Sequence, residues 1–337
     1  MRRWYATCSI SLRRIRGGDF VRQQQSLGQS ISCSGVGLHT GLPVTLTLRP
    51  APPDTGIVFV RHGAGKRVSL GALVQNLVPT ELCTAISLNG TSVKTIEHVL
   101  AALVGLEVDN VFVELDAEEV PAMDGSSSPF VRLIKAAGVV PQERRQPFLK
   151  ITQPIEVADG DRRVIIEPSF HPRITYSIEY DHPLIQKQTY VYDCSVSAFE
   201  QDIADARTFG FLLEVEALWS RGLGKGGSLE NTIVLSDCDV LNQSGLRFPD
   251  EFVRHKTLDL IVDRRSFRTR PPHSIGGEDP GAAGQMGVAE PERTTGFSGV
   301  PTCAQRVPIW TEYPPASVLH VLTHLSLFNT TVGFDVA

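Results

Sequence analysis

Apolar positions along this chain recur first with a period of two and then with a period near 3.6. Val44-Thr-Leu-Thr-Leu-Arg49 alternates apolar and polar residues, which sends every apolar side chain to one face of a strand. Gly56-Ile-Val-Phe-Val60 follows the turn-forming Ala-Pro-Pro-Asp-Thr, and Val111-Phe-Val-Glu-Leu115 is a further strand-like run. Between them Val93, Ile96, Val99, Leu100 and Leu103 share one helical face and predict a helix over 93–103. Ser128 is placed to cap a second helix carrying Phe130, Val131, Leu133 and Ile134, and Gly138 to end it.

The order then repeats. Residues 148–157, 163–168 and 174–180 read as strands, 212–220 and 250–262 as helices, with Thr232-Ile-Val-Leu235 as a strand between the helices. Two successive blocks of strands followed by helices predict an α+β fold of two similar domains, each a sheet layer packed on helices. The first should span residues 26–142 and the second 147–263, with a linker near 140–146, where Pro, Gln and Arg cluster. Beyond Asp263 the pattern stops. Residues 264–337 contain a Gly-, Pro- and Thr-rich run and one short apolar stretch at 318–327, and read as a divergent, largely irregular tail.

Composition narrows the class. With 337 residues, 42% hydrophobic and 20% charged, the chain has the balance of a soluble globular protein. A net charge of −5 offers no electrostatic case for nucleic acid. No run of 18 apolar residues is present to span a membrane. The six cysteines form no CxxC pair, against both a disulfide framework and a cysteine-ligated zinc ribbon. Residues 1–25 carry six arginines and no acid before Asp19, without a continuous apolar segment. They read as a mitochondrial transit peptide in preference to a plain basic tail.

Four places carry candidate chemistry. Glu97-His98 sits within the apolar helix Thr95-Ile-Glu-His-Val-Leu-Ala-Ala-Leu103. A neutral imidazole can bind a metal, and the carboxylate beside it can take a proton from an activated water. On spacing alone a surface-facing pair is the better reading. His255 and Asp259 are four apart, so both lie on one helical face, and Asp263 continues it. Such a pair can supply two metal ligands from one rigid element, with Lys256 as a neighbouring cation; an ordinary amphipathic helix accounts for the spacing equally well. Ala206-Arg-Thr-Phe-Gly210 and the glycine loop 221–228 offer a hydroxyl and close backbone approach, or a plain connector. His39 stands in a glycine-flanked turn, where a hydrogen-bonded loop histidine is the favoured reading.

The longer motifs weigh these spacings differently. SGVGLHTG, VTLTLRPAPPDTGIVF, TSVKTIEHVLAAL, VPAMDGSSSPFV, ARTFGF, GGSLENTIVL and LRFPDEFVRHKTLDLIVD occur in that order and cover about residues 25–263. Together they resemble the zinc-dependent UDP-3-O-acyl-N-acetylglucosamine deacetylases of lipid A biosynthesis. The resemblance implies Zn2+ on His98, His255 and Asp259, with a fourth position for water, and Glu97 as general base. It implies Thr208 as a donor to the developing oxyanion, Lys256 and Asp263 as neighbours that tune the site, and Phe209, Gly227 and His39 on the substrate side. It places the site at the junction of the two domains. The implied partner is UDP-3-O-acyl-N-acetylglucosamine, with acetate released, any membrane contact made peripherally through the acyl substrate, and a monomeric state.

The tail departs from that pattern. Family members continue after the last motif into a strand and an AYKSGH-like segment, whose histidine assists protonation of the leaving amine. Nothing after Asp263 matches it, and His273, in RPPHS, comes too early. An altered reading frame or alternative splice accounts for the abrupt change. The alternative expectation is therefore an inactive or weakly active isoform that binds zinc or a nucleotide sugar.

Overall fold

The computed structural model describes residues 22–265, apart from 64–65, 81, 147–148, 151–152, 160–161 and 170, together with the strands Arg13–Arg14 and Thr330–Val336. For those two strands and for several other positions, Val262–Arg265 among them, only the backbone is described. All described residues belong to one compact unit, and its class is α+β.

The first sheet has five strands, in the spatial order Ile31–Val36, Pro43–Pro50, Val111–Leu115, Ile57–Gly63 and Lys66–Gly71. Alternation decides its faces: Val44, Leu46 and Leu48 are buried, while Thr45 is exposed. Val111–Leu115 runs antiparallel to Pro43–Pro50 and parallel to Ile57–Gly63. The parallel pair needs a crossover, and helix α1 (Glu97–Gly105) lies within it. All nine residues of α1 are buried, which a helix shows when neighbours cover every side. It packs against α2 (Ser128–Ala137), which rests on Ile31–Val36, and against a late helix described below.

The second sheet also has five strands, ordered Ile155–Asp159, Arg162–Pro168, Thr330–Val336, Arg173–Tyr180 and Gln186–Asp193. A short turn of helix α3 (Val196–Ala198), capped by the Ser195 hydroxyl, runs into a π-helical turn over Phe199–Ile203. Helix α4 (Leu212–Ser220) has no buried residue. Helix α5 (Glu251–Arg265) packs on α1 and on the strands Arg173–Tyr180 and Gln186–Asp193. Helices α2, α1 and α5 thus form a layer that links the first sheet to the second.

Several expectations are corrected. The first helix begins at Glu97, because Thr91–Lys94 pairs with Ala85–Leu88 as a hairpin and Thr95 takes a positive φ of 56°. Val93 is buried in the hairpin, and a buried position satisfies either period. Ser128 is the first helical residue rather than the cap. Its N–H meets the Ser126 hydroxyl, and the Ser127 hydroxyl, at the cap position, donates to the His98 carbonyl. Gly138 does end α2, with φ of 76°.

The stretch expected as a linker is mostly a strand: Val139–Arg145 pairs with Gln23–Leu27. Gln24 is buried, and Arg22 pairs with Asp109, so residues 22–25, expected at the end of a leader, pack as part of the fold. The transit-peptide reading otherwise falls on residues 1–21, which, Arg13–Arg14 aside, lie outside the described residues. Gln186–Asp193 escaped the pattern because it is a sheet edge that buries little beyond Tyr192. The tail is not wholly irregular, since Thr330–Val336 fills the middle of the second sheet, parallel to Arg162–Pro168 and antiparallel to Arg173–Tyr180. Its near alternation was too short and too rich in Thr and Gly to stand out. The rest of the expected tail, 266–329, lies outside the described residues. The four described cysteines, Cys33, Cys83, Cys194 and Cys238, are free thiols. No helix among the described residues is long and apolar enough to cross a membrane.

Candidate active site

His98 is the second residue of α1, and His255 and Asp259 stand one turn apart in α5. The packing of these helices brings one ligand atom of each residue within 4.8 Å of the others. The two imidazoles meet edge to face, with ring centroids 5.2 Å apart. His255 Nε2 lies 3.6 Å from Asp259 Oδ1, and Lys256 Nζ donates to Asp259 Oδ2 at 3.2 Å.

Burial sets the protonation of this group. It lowers the His98 pKa to about 3, assisted by the facing His255, and lowers His255 as well. Burial works against ionisation of Asp259, but His255 and Lys256 beside it outweigh that and hold the carboxyl below the usual range. Two neutral imidazoles and an ionised carboxylate form the donor set a divalent cation requires. His255 Nδ1 lies 3.0 Å from the Ala206 carbonyl, so donation there leaves Nε2 with its lone pair toward the cluster. The residues fit a zinc ion.

Glu97 sits at the start of α1, its Oε2 accepting the Thr84 N–H at 2.9 Å. Burial, reinforced by Asp259, pushes its carboxyl up to about 8. A cation at the cluster would draw that value down again. Glu97 and the cluster open onto a cavity of about 450 Å³. Thr208, Phe209, Gly227 and His39 line the same cavity. The rest of the lining is largely apolar and includes Phe211, Val215, Leu218, Trp219 and Val234.

Each expected residue can now be placed. Thr208 is pinned by backbone bonds on both sides, to the Gly125 carbonyl and from the Ile233 N–H. Phe209 stacks edge-on against Phe252, 5.0 Å between centroids, under Lys256 Nζ. His39 is buried, and that burial lowers its pKa despite nearby Glu119. Asp263 lies on α5, with its side chain outside the described residues. Gly227 lines the cavity, but the steric demand is at Gly226, where a Cβ would stand 2.2 Å from the Gly37 carbonyl.

Other residues escaped the sequence reading. Glu119 accepts the N–H groups of His39 and Thr40 and the hydroxyls of Thr40 and Thr95. It ties the His39 turn to the entry of α1. Arg247 reaches Asp124 at 3.0 Å and the Asp205 carbonyl at 2.9 Å. Arg207 and Glu251 form a buried ion pair. The spacing of Glu251, His255 and Asp259, four and four, was the available signal for the last.

The α+β fold thus gathers two buried imidazoles, the buried Glu97 carboxyl and the part-buried Asp259 carboxylate on one largely apolar cavity, an arrangement suited to hydrolysis. Residues 24–271 match the LpxC family, described as UDP-3-O-acyl N-acetylglycosamine deacetylase, and the chain belongs to that family. A protein of Myxococcus xanthus (strain DK1622) named UDP-3-O-acyl-N-acetylglucosamine deacetylase is 50% identical over 244 residues, 72% of this chain and 78% of its own. A protein of the same name from Histophilus somni (strain 129Pt) is 47% identical over 244 residues, 72% of this chain and 80% of its own.

Proposed function

We propose that the chain is a zinc-dependent amidohydrolase that removes acetate from the N-acetyl group of UDP-3-O-acyl-N-acetylglucosamine. The observation that carries the reading is the His98–His255–Asp259 cluster beside buried Glu97, in a cavity whose remaining lining is largely apolar. The polar end suits an acetamide and the apolar lining an acyl chain. The substrate named for the relatives joins the two.

His98, His255 and Asp259 would hold the ion, which when bound supplies Lewis acidity that polarises an amide carbonyl and acidifies water. Glu97 takes the proton from the attacking water. As the C–N bond breaks, Glu97, in the same cavity, can return that proton to the departing amine. Thr208 contributes a donor where negative charge develops, and the Lys256 cation holds Asp259 ionised and oriented. His39, Phe209 and Gly227 bound the sugar and acyl sides. Asp263, one turn after Asp259 by spacing, is proposed to tune the site from α5.

Replacing Glu97 by alanine tests this. The variant should keep one zinc per chain and lose acetate release by roughly 10²–10⁴-fold. Undiminished release, or a parent chain without stoichiometric zinc, would sink the reading.

A second reading has its own observation: the family match ends at residue 271, before the segment that carries the family's acid histidine. Under it the chain binds zinc and nucleotide sugar but releases no acetate. Single-turnover acetate measurement on the full chain separates the two. The basic N-terminus is proposed to direct the chain to the mitochondrion, with any cleavage before Arg22. N-terminal sequencing after import into isolated mitochondria checks this, and a mature end beyond Gln25 would contradict it.

A further inference from the structure

Glu251 begins α5, two turns before Asp259 and one turn before His255. Its carboxylate is fully buried, and the Arg207 side chain opposite is 4% exposed. Four N–H groups converge on it. Oε1 accepts from the backbone N–H and the Nε of Arg207, both at 2.9 Å. Oε2 accepts from Arg207 Nη2 at 3.2 Å and from the backbone N–H of Arg247 at 2.6 Å. The guanidinium continues to the Gly245 carbonyl at 2.7 Å.

The pair stands between two groups of the site. Ala206, immediately before Arg207, supplies the carbonyl that faces His255 Nδ1. Thr208, immediately after it, lines the cavity. One side chain from α5 therefore holds the backbone of Arg207, and with it both neighbours, against the helix that carries His255 and Asp259. A buried ion pair is a weak source of net stability, because desolvation of both charges offsets their attraction. A two-toothed guanidinium–carboxylate contact nevertheless fixes geometry closely, and the groups that orient metal-binding histidines control affinity.

We propose that Arg207 and Glu251 are positioning residues, whose ion pair sets the register of the Ala206 carbonyl and Thr208 against His255 and Asp259. The inference rests on the zinc-hydrolase reading above. Neither residue of the pair lines the cavity. It acts through the His255 tautomer and the placement of Thr208.

The test uses the full chain and two variants. The double substitution Arg207→Met with Glu251→Met removes both charges at similar volume, a change that buried pairs often tolerate in stability. Arg207→Lys keeps the charge and loses the fork. Zinc affinity is measured by competition with a chelator, the visible spectrum is recorded after cobalt substitution, and kcat and KM are measured separately. Both variants should fold, bind zinc about 10–100-fold more weakly, show a shifted cobalt spectrum, and lose kcat with KM little changed.

Folded variants with parental zinc affinity and cobalt spectrum would overturn the proposal and leave the pair a structural one. Should the double variant fail to fold, Arg207→Lys decides: unaltered affinity and spectrum there overturn it equally. A parent chain that binds no zinc sinks the hydrolase reading and this inference with it, whereas zinc-binding parent and variants that do not differ sink the inference alone.

Discussion

Glu97 and His98 are neighbours in sequence that burial drives in opposite directions, the carboxyl up to about 8 and the imidazole down to about 3. Desolvation penalises the charged form of each: the same helix end keeps a carboxyl able to hold a proton near neutrality and an imidazole free of one. That residue-scale result was half legible. The dipeptide and its apolar setting were visible, but whether it faced water or a cavity was not. Glycines divide similarly. Gly226 has no room for a side chain, since its Cβ would sit 2.2 Å from the Gly37 carbonyl, while at Gly227 the nearest contact is 3.1 Å. Gly226→Ala should therefore cost about 1–3 kcal/mol in urea unfolding, and Gly227→Ala markedly less. Equal losses would show that the loop adapts at both positions.

Among elements, the entry of α1 depends on a carboxylate outside the helix. Burial raises the Glu119 pKa, but hydrogen bonds from His39, Thr40 and Thr95 outweigh it and hold the carboxyl below its usual range. A depressed carboxylate stabilises the fold above its unfolded pKa, and that contribution is lost as pH falls through the folded value. Glu119→Gln should cost about 1–3 kcal/mol at pH 7. The gap between variant and parent should close at acid pH, once Glu119 is protonated in both states. Urea midpoints measured from neutral to acid pH check this, and a gap that does not depend on pH would contradict the assignment. Periodicity located α2, α4, α5 and the strands Pro43–Pro50, Ile57–Gly63, Val111–Leu115, Arg162–Pro168, Arg173–Tyr180 and Ile233–Leu235 to within a few residues. Among the strands it missed are the Ala85–Leu88 and Thr91–Lys94 hairpin, Lys66–Gly71, Val139–Arg145, Thr330–Val336 and the Gln186–Asp193 edge. A buried valine suits both periods, and an edge strand faces solvent on too many sides to show a clean alternation.

For the molecule as a whole, Thr330–Val336 is the element on which closure depends. Without it Arg162–Pro168 and Arg173–Tyr180 lose their shared partner and present two rows of unpaired backbone groups. A chain ending at Asn329 should be poorly soluble or melt well below the parent, by size-exclusion chromatography and thermal circular dichroism. Full solubility with an unchanged melting temperature would mean that the second sheet closes without this strand. The consequence reaches the site, because α5, which carries His255 and Asp259, packs on Arg173–Tyr180 and Gln186–Asp193.

The α+β class, the order of most elements and the identity of the candidate ligands follow from local pattern and from motifs long enough to name a family. Both are properties of neighbours along the chain. What only the tertiary structure decided is which of those residues meet. His98 and His255 are 157 positions apart, and their approach follows from two helices sharing one core. The Glu119 anchor, the Arg207–Glu251 pair and the strand that the tail adds to the second sheet arise in the same way. Each joins segments far apart in the chain, where hydrophobic periodicity carries no information about the partner.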